Sequence, residues 1–259
     1  MPEGDAIAYA ARRIRPVLEG VVPDAIATPQ ARHRMDRWPQ RLAGRAVRSV
    51  DTHGKHLFLR FEGDLVLHSH LRMTGRWSVY RDGQRWRRSR HRAWLVLHAR
   101  GHEVVEFDGP VLELMTAART RTEPRLAALG PDVLAERFDA AGFLRRLRQD
   151  DPTRGIGDAL LDQHIVAGLG NMWKAEACWS AEVDPWRPVR DVSDDEAVAV
   201  VETIRPRMRA AAASGPGEHA GHGVYNRAGR PCPRCGARVR ARGQGDDNRT
   251  TFWCPGCQS

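Results

Sequence analysis

Lysine is nearly missing from this sequence. Lys55 and Lys174 are the only two among 41 lysines and arginines, so arginine carries the formal net charge of +9. An arginine-rich coding bias accounts for the choice in bulk, which makes each surviving lysine a hint that arginine would not serve there. Long apolar runs are missing as well. None approaches the ~20 residues needed to span a bilayer, and the opening Met-Pro-Glu-Gly-Asp lacks the basic, hydrophobic character of a secretory leader. A cytosolic protein without a membrane segment is expected. Cysteine is scarce, at five residues, and in a reducing compartment these are not expected to pair as disulfides. Four fall in two close pairs, which points to metal. The fifth, Cys178, lies in a helical pattern and reads as a small buried apolar residue. There is no internal repeat.

What is present favours an anionic partner. A pI near 10.1 concentrates phosphate-bearing ligands at the surface, with nucleic acid first and a ribosome or a membrane surface as alternatives. At 259 residues the chain is long enough for two domains of ~100–200 residues. From Asp5 to Glu19, Ile7, Ala11, Ile14 and Leu18 recur at helical spacing, with Gly20 after them. Short runs then follow, Lys55–Phe61, Leu65–Leu71, Arg76–Tyr80, Ala93–His98 and Glu103–Phe107, punctuated by turn residues such as Gly54, Gly63-Asp64 and Asp82-Gly83. They predict a β-sandwich or flattened barrel. Beyond a polar stretch at Thr116–Glu123 the spacing turns helical, through Phe143, Leu144 and Leu147, then Ile156, Leu160 and Leu161. A longer helix runs from Ser193 to about Ala213, where Ser193 and Glu196 form a capping box. The expected architecture is α+β. Residues 1–115 form a β-rich catalytic domain and 116–125 a hinge. Residues 126–223 form a helical domain ending in a linker at Ser214–Gly223, and 224–259 form a cysteine module. The basic loop Tyr80–Arg92 reads as solvated.

Three motifs carry chemistry. Cys232-Pro-Arg-Cys235 and Cys254-Pro-Gly-Cys257 are C-x-x-C knuckles able to close a four-thiolate site around one Zn2+ with Zn–S of ~2.3 Å. Such a site has no open position for water, so the metal is structural. Between the knuckles, Arg238–Arg242 and Arg249–Trp253 read as a β-hairpin. Ala167-Gly168-Leu169-Gly170-Asn171 lies between helical stretches, where glycines permit a sharp turn and helix amides attract phosphate. An ordinary helix corner with Asn171 as N-cap explains it equally well. Finally, Pro2 follows the initiator methionine. Loss of Met1 exposes a secondary amine with a pKa of ~7.7–8.0 for typical chain termini, a usable nucleophile, and Glu3 beside it is placed to shuttle protons. Taken alone, Met-Pro-Glu is common.

Together with Gly54-Lys55-His56-Leu57, read as part of a strand, and His68-Ser69-His70-Leu71-Arg72-Met73-Thr74-Gly75, these motifs form a longer pattern. It also takes in Ala159-Leu160-Leu161-Asp162-Gln163 and Val224-Tyr225-Asn226-Arg227-Ala228-Gly229. In order and spacing the whole chain resembles the Fpg/Nei family of DNA glycosylases. The resemblance implies a β-rich N-terminal domain with an N-terminal helix, a helix-two-turn-helix domain and a zinc-ribbon hairpin that clamp double-stranded DNA carrying oxidised bases or abasic sites. The damaged nucleotide is flipped out, the proline displaces the base, and the strand is then broken by β,δ-elimination. It implies Pro2 as nucleophile, Glu3 as acid/base, Lys55 as a cation near the lesion, and His70, Asn171 and Arg249 as phosphate contacts. Met73 fills the gap left by the extruded nucleotide. Phe107-Asp108-Gly109-Pro110-Val111-Leu112 stands where purine-specialised members carry an Arg-x-Phe wedge, which favours the endonuclease VIII branch and oxidised pyrimidines. A further glutamate frequent in the first helical turn is absent, with Asp5 as its candidate substitute. The expected enzyme is a monomer, nucleoid-associated through DNA. The competing readings are a non-catalytic binder of damaged or branched DNA on the same scaffold and a zinc-ribbon RNA-binding protein; neither needs Pro2, Glu3 and Lys55 together.

Overall fold

The computed structural model describes residues 2–33, 36–215 and 221–259. Met1, and with it the expected methionine removal, lies outside them, as does half of the linker expected at Ser214–Gly223. The chain divides into two units, residues 1–2 with Ala6–Ala127, and Glu3–Asp5 with Ala128–Ser259.

In the first unit, helix α1 (Gly4–Leu18) turns Ile7, Ala11, Ile14 and Leu18 inward, all of them at most 1 % exposed. That spacing puts them on one stripe of a 3.6-residue helix. Gly20, at φ 73°, follows the helix. Next come β1 (Ala25–Ala27), α2 (Trp38–Leu42), β2 (Val47–His53), β3 (His56–Phe61), β4 (Leu65–His70), β5 (Arg76–Arg81), β6 (Ala93–Ala99), β7 (His102–Phe107) and β8 (Val111–Thr116). They form two antiparallel four-stranded sheets, in the orders β2-β3-β4-β8 and β1-β6-β7-β5. The buried stripe of α1 shares one apolar core with both sheets, which includes Leu57, Leu59, Leu67, Trp77, Leu95 and Leu97. The outer face of the second sheet buries Tyr80, Val96, Val105 and Phe107 under Trp86. The outer face of the first buries Phe58, Val66 and Met115 beneath Leu126. The stretch expected as a hinge, 116–125, is largely helical. It comprises α3 (Ala117–Thr122), whose N-terminus Thr116 caps by accepting from Arg119 N, and α4 (Pro124–Ala127).

The second unit packs α5 (Ala140–Gln149), α6 (Ile156–Ala159), α7 (Asn171–Ser180) and α8 (Asp194–Ser214) around Phe143, Leu160, Trp173, Val201 and Ile204. The Ser193–Glu196 capping box is present at the start of α8. Strands β9 (Arg240–Gln244) and β10 (Arg249–Trp253) pair as the terminal hairpin, with Val239 and Phe252 in a small cluster that includes Ala175 of α7. The architecture is α+β. Among the described residues no helix is long and apolar enough to cross a membrane.

Candidate nucleic-acid and catalytic site

Pro2 is partly exposed, and Glu3 beside it is 6 % exposed. The Glu3 carboxylate accepts from Gly170 N (2.9 Å), Met172 N (2.9 Å) and Trp173 N (3.2 Å), the amides that open α7. An ionised carboxylate is acceptor-only, and a helix N-terminus offers donors with no partner of their own together with a favourable dipole. The glycines of the loop make this seat possible. A Cβ on Gly170 would stand 2.3 Å from the Glu3 carboxyl carbon, and one on Gly4 would press on Gly168, which itself sits at φ 103°. Gln163 shapes the same loop, accepting from Gly168 N and donating to Leu161 O and Leu169 O. Asn171 is therefore the first helical residue and not the N-cap, a position held by Gly170. The Asn171 side chain donates to Thr250 O on β10 at 2.7 Å. Since an amide nitrogen carries two hydrogens, one remains for a ligand. Asp5 is buried, at 3 % exposed.

Beneath Asn171, sequence reasoning misses two buried charges of α7. Lys174, fully buried, bonds to Thr251 Oγ1 and lies 3.5 Å from Gln244 Oε1, tying the helix to both strands of the hairpin. Burial first of all pulls its pKa down to about 8. Glu176, also fully buried, accepts from Gly223 N, Val224 N, Tyr225 N and Arg207. It thereby orders the start of the Val224–Gly229 motif. The other retained lysine is secluded too, Lys55 being only 7 % exposed.

Lys55 lies not on a strand but in the two-residue turn joining β2 to β3, with Gly54 at φ 56°, a geometry that suits the twist of a hairpin. Burial above all, then Arg72, His68 and Lys55, hold the pKa of His70 down at about 4. His70 faces His56, with ring centroids 4.7 Å apart. His56 Nδ1 meets His68 Nε2 at 2.8 Å, and His68 Nδ1 lies 3.5 Å from Glu113. Burial and then the neighbouring His70 push His56 down to about 2. His70 Nδ1 accepts from Arg72 N, which leaves Nε2 to carry the proton and point a neutral donor outward. Just beyond, Met73 is 70 % exposed, one of two large apolar side chains so displayed among the described residues.

The four cysteine sulfurs lie within 4.8 Å of one another, with Cys232–Cys257 at 3.8 Å and Cys235–Cys254 at 3.4 Å. These separations exceed an S–S bond of ~2.05 Å and suit thiolates on one tetrahedral ion. On the hairpin above, Arg249 is exposed and pairs with Asp247 at 3.0 Å.

Residues 1–110 match the family model described as the formamidopyrimidine-DNA glycosylase N-terminal domain, and residues 129–220 match that of the formamidopyrimidine-DNA glycosylase H2TH domain. A Streptomyces coelicolor protein named probable endonuclease 8 2 is 40% identical over 273 residues, covering 100% of this chain and 94% of its own. This chain belongs to the Fpg/Nei family. It is accordingly a DNA glycosylase and AP lyase of base excision repair. A second Fpg/Nei relative, the DNA-(apurinic or apyrimidinic site) lyase Nei2 of Mycolicibacterium smegmatis, is 32% identical over 265 residues, covering 100% of this chain and 99% of its own. The Fpg of Lactococcus lactis, crystallised with DNA containing N7-benzyl-Fapy-dG, shares the fold at a TM-score of 0.83 and 23% identity over 100% of both chains.

Proposed function

We propose that the enzyme removes oxidised bases, pyrimidines above all, from double-stranded DNA through the amine of Pro2, and then cuts the strand by β,δ-elimination. What carries this reading is the seat of Glu3, whose carboxylate is held by three backbone N–H groups directly beside Pro2 in the chain. An anchored acid/base group next to a secondary amine suits proton transfer to a sugar under attack. The Pro2 nitrogen lone pair forms the N–C1′ bond while the C1′–base bond breaks, its electron pair leaving with the base, which takes up a proton. The adduct nitrogen, now an ammonium, gives its N–H proton to the Glu3 carboxylate, which passes it to O4′ as the C1′–O4′ bond opens, and the freed nitrogen lone pair forms the iminium. Loss of a C2′ proton then expels the 3′ phosphate, and a second elimination expels the 5′ phosphate. Lys55 supplies positive charge near the sugar and its phosphate, while His70, Asn171 and Arg249 hold backbone phosphates. Met73 fills the gap in the stack. Cys232, Cys235, Cys254 and Cys257 hold one structural zinc. The pyrimidine preference draws support from the segment Phe107–Leu112, which lacks an Arg-x-Phe wedge, and from relatives named endonuclease 8.

Borohydride added during reaction with abasic DNA tests the chemistry. The mature N-terminus is expected to become linked to DNA, with no adduct when Met1 is retained. An adduct that maps to Lys55 and survives Pro2→Gly unchanged assigns the chemistry elsewhere.

A further inference from the structure

Met73 stands on a tight turn after β4. Gly75 N donates to Leu71 O at 2.9 Å, and a Cβ on Gly75 would lie 2.8 Å from the Leu71 backbone. Arg72 in the same turn is at φ 42°, a conformation unfavourable for most side chains. A turn this strained and this exposed needs outside support, and it has support from two segments that the mechanism does not use. Thr74 Oγ1 donates to Asp108 O at 3.2 Å, in the turn between β7 and β8. Arg88, in the loop between β5 and β6, donates to Thr74 O at 3.3 Å and to Asp108 Oδ2 at 2.6 Å. Arg92 completes the fork on the other Asp108 oxygen at 2.8 Å. The loop is not merely solvated. Trp86 packs edge-on against Phe107 and donates to Glu103, which turns Arg88 inward while Arg85, Arg87 and Arg90 stay exposed.

We propose that Arg88 and Asp108 are positioning residues for Met73. They brace its turn so that the side chain is already raised when DNA arrives, and extrusion of the damaged nucleotide depends on them. The segment that lacks the purine-type wedge acts here as a buttress. Bringing an ordered turn to the duplex avoids fixing it during insertion, which is where misplacement of a group is most damaging to rate. The proposal rests on the reading of Met73 given above.

The test is stopped-flow fluorescence of 2-aminopurine placed opposite a tetrahydrofuran abasic analogue, which reports entry of the plug. Arg88→Met and Asp108→Asn are each expected to slow the insertion phase by about tenfold or more, with Arg88→Lys between them and wild type. Asparagine tolerates the left-handed backbone of position 108 (φ 49°), so that variant keeps the turn's shape. Combined with Met73→Ala, Arg88→Met is expected to add nothing further, the mark of residues acting through one another. Additive effects overturn the proposal. So does a fall of about one in the salt slope for undamaged duplex with Arg88→Met, because Arg88 is then a phosphate contact. If Met73→Ala slows insertion and Arg88→Met does not, the brace alone is wrong. If Met73→Ala changes nothing, the assignment of Met73 fails first and the brace with it.

Discussion

Acidification tests the histidine layer of the first unit most directly. His56 and His70 are held at about 2 and about 4, against ~6.5 for a histidine in an unfolded chain. Above pH 6.5 both states are neutral at these positions, and the layer contributes no pH dependence. As the pH falls below 6.5 the unfolded chain takes up two protons that the folded sheet refuses, so stability falls. At pH 5 each site costs about 2 kcal/mol, from ~1.4 kcal/mol per pH unit, and the pair costs about 4 kcal/mol. That is a large share of a domain stability of ~5–15 kcal/mol. Below about 4, His70 begins to protonate in the folded state and its share levels off, while that of His56 continues toward about 2. Because the chain has two units, a single melting temperature blurs the effect. Amide exchange on β3 and β4 isolates it. Protection factors for Leu57, Leu59 and Leu67, corrected for intrinsic rates, are expected to drop about a thousandfold between pH 7 and pH 5. In His56→Gln/His70→Gln most of that drop should vanish. Ring protons of His56 and His70 titrating near 6.5, or a wild-type drop of less than tenfold, refute the reasoning.

Three further outcomes are expected. Arg249→Ala should reduce the slope of log affinity against log salt by about one, whereas Asn171→Ala and His70→Ala, which remove neutral donors near pH 7, should weaken binding and leave the slope in place. An Arg249→Ala protein that loses lesion discrimination alone makes Arg249 a base reader. Chelation or Cys254→Ser should abolish DNA binding while the β-sheet signal persists, with one zinc per chain by metal analysis, since Val239 and Phe252 are too small a cluster to fold the hairpin without metal; normal cutting of abasic DNA by zinc-free protein contradicts this. Glu176→Leu leaves three backbone N–H groups and Arg207 without their acceptor and should destabilise the second unit by roughly 3–5 kcal/mol in denaturant titration. A loss under 1 kcal/mol contradicts that role.

Where a side-chain period survives intact, the sequence reveals the element. The stripe on α1, the capping box of α8 and the turn-bounded apolar runs of β3, β4 and β6 are all legible. Strand β2 is not, because a register shift between Val47 and Ser49 sets its buried Val47 and Val50 three apart and breaks the period of two. Lys55 reads as a strand residue because nothing local separates a two-residue hairpin turn from the strands it joins. Asn171 reads equally well as an N-cap because its rival for the α7 amides, Glu3, is 167 residues from Gly170 in sequence, and no local rule reaches that far. The same holds for Arg88 and Asp108, 20 residues apart. Composition alone describes an arginine loop as solvated, and only the burial of Trp86 shows which arginine turns inward. The cysteines, with their ligand spacing, are legible from sequence, and the fold brings all four together.

The seclusion of both lysines has a practical side. Guanidinium groups stay protonated at any pH a protein tolerates, so the arginines that cover the surface are inert toward acylating reagents. Lys174 is sealed and Lys55 nearly so. An active ester at mild pH thus finds a surface almost without amines, and the terminal nitrogen is its principal target. Labelling that scatters over dozens of positions in a lysine-rich protein becomes, in this one, close to a titration of the terminal amine, which under the proposed loss of Met1 is the Pro2 nitrogen.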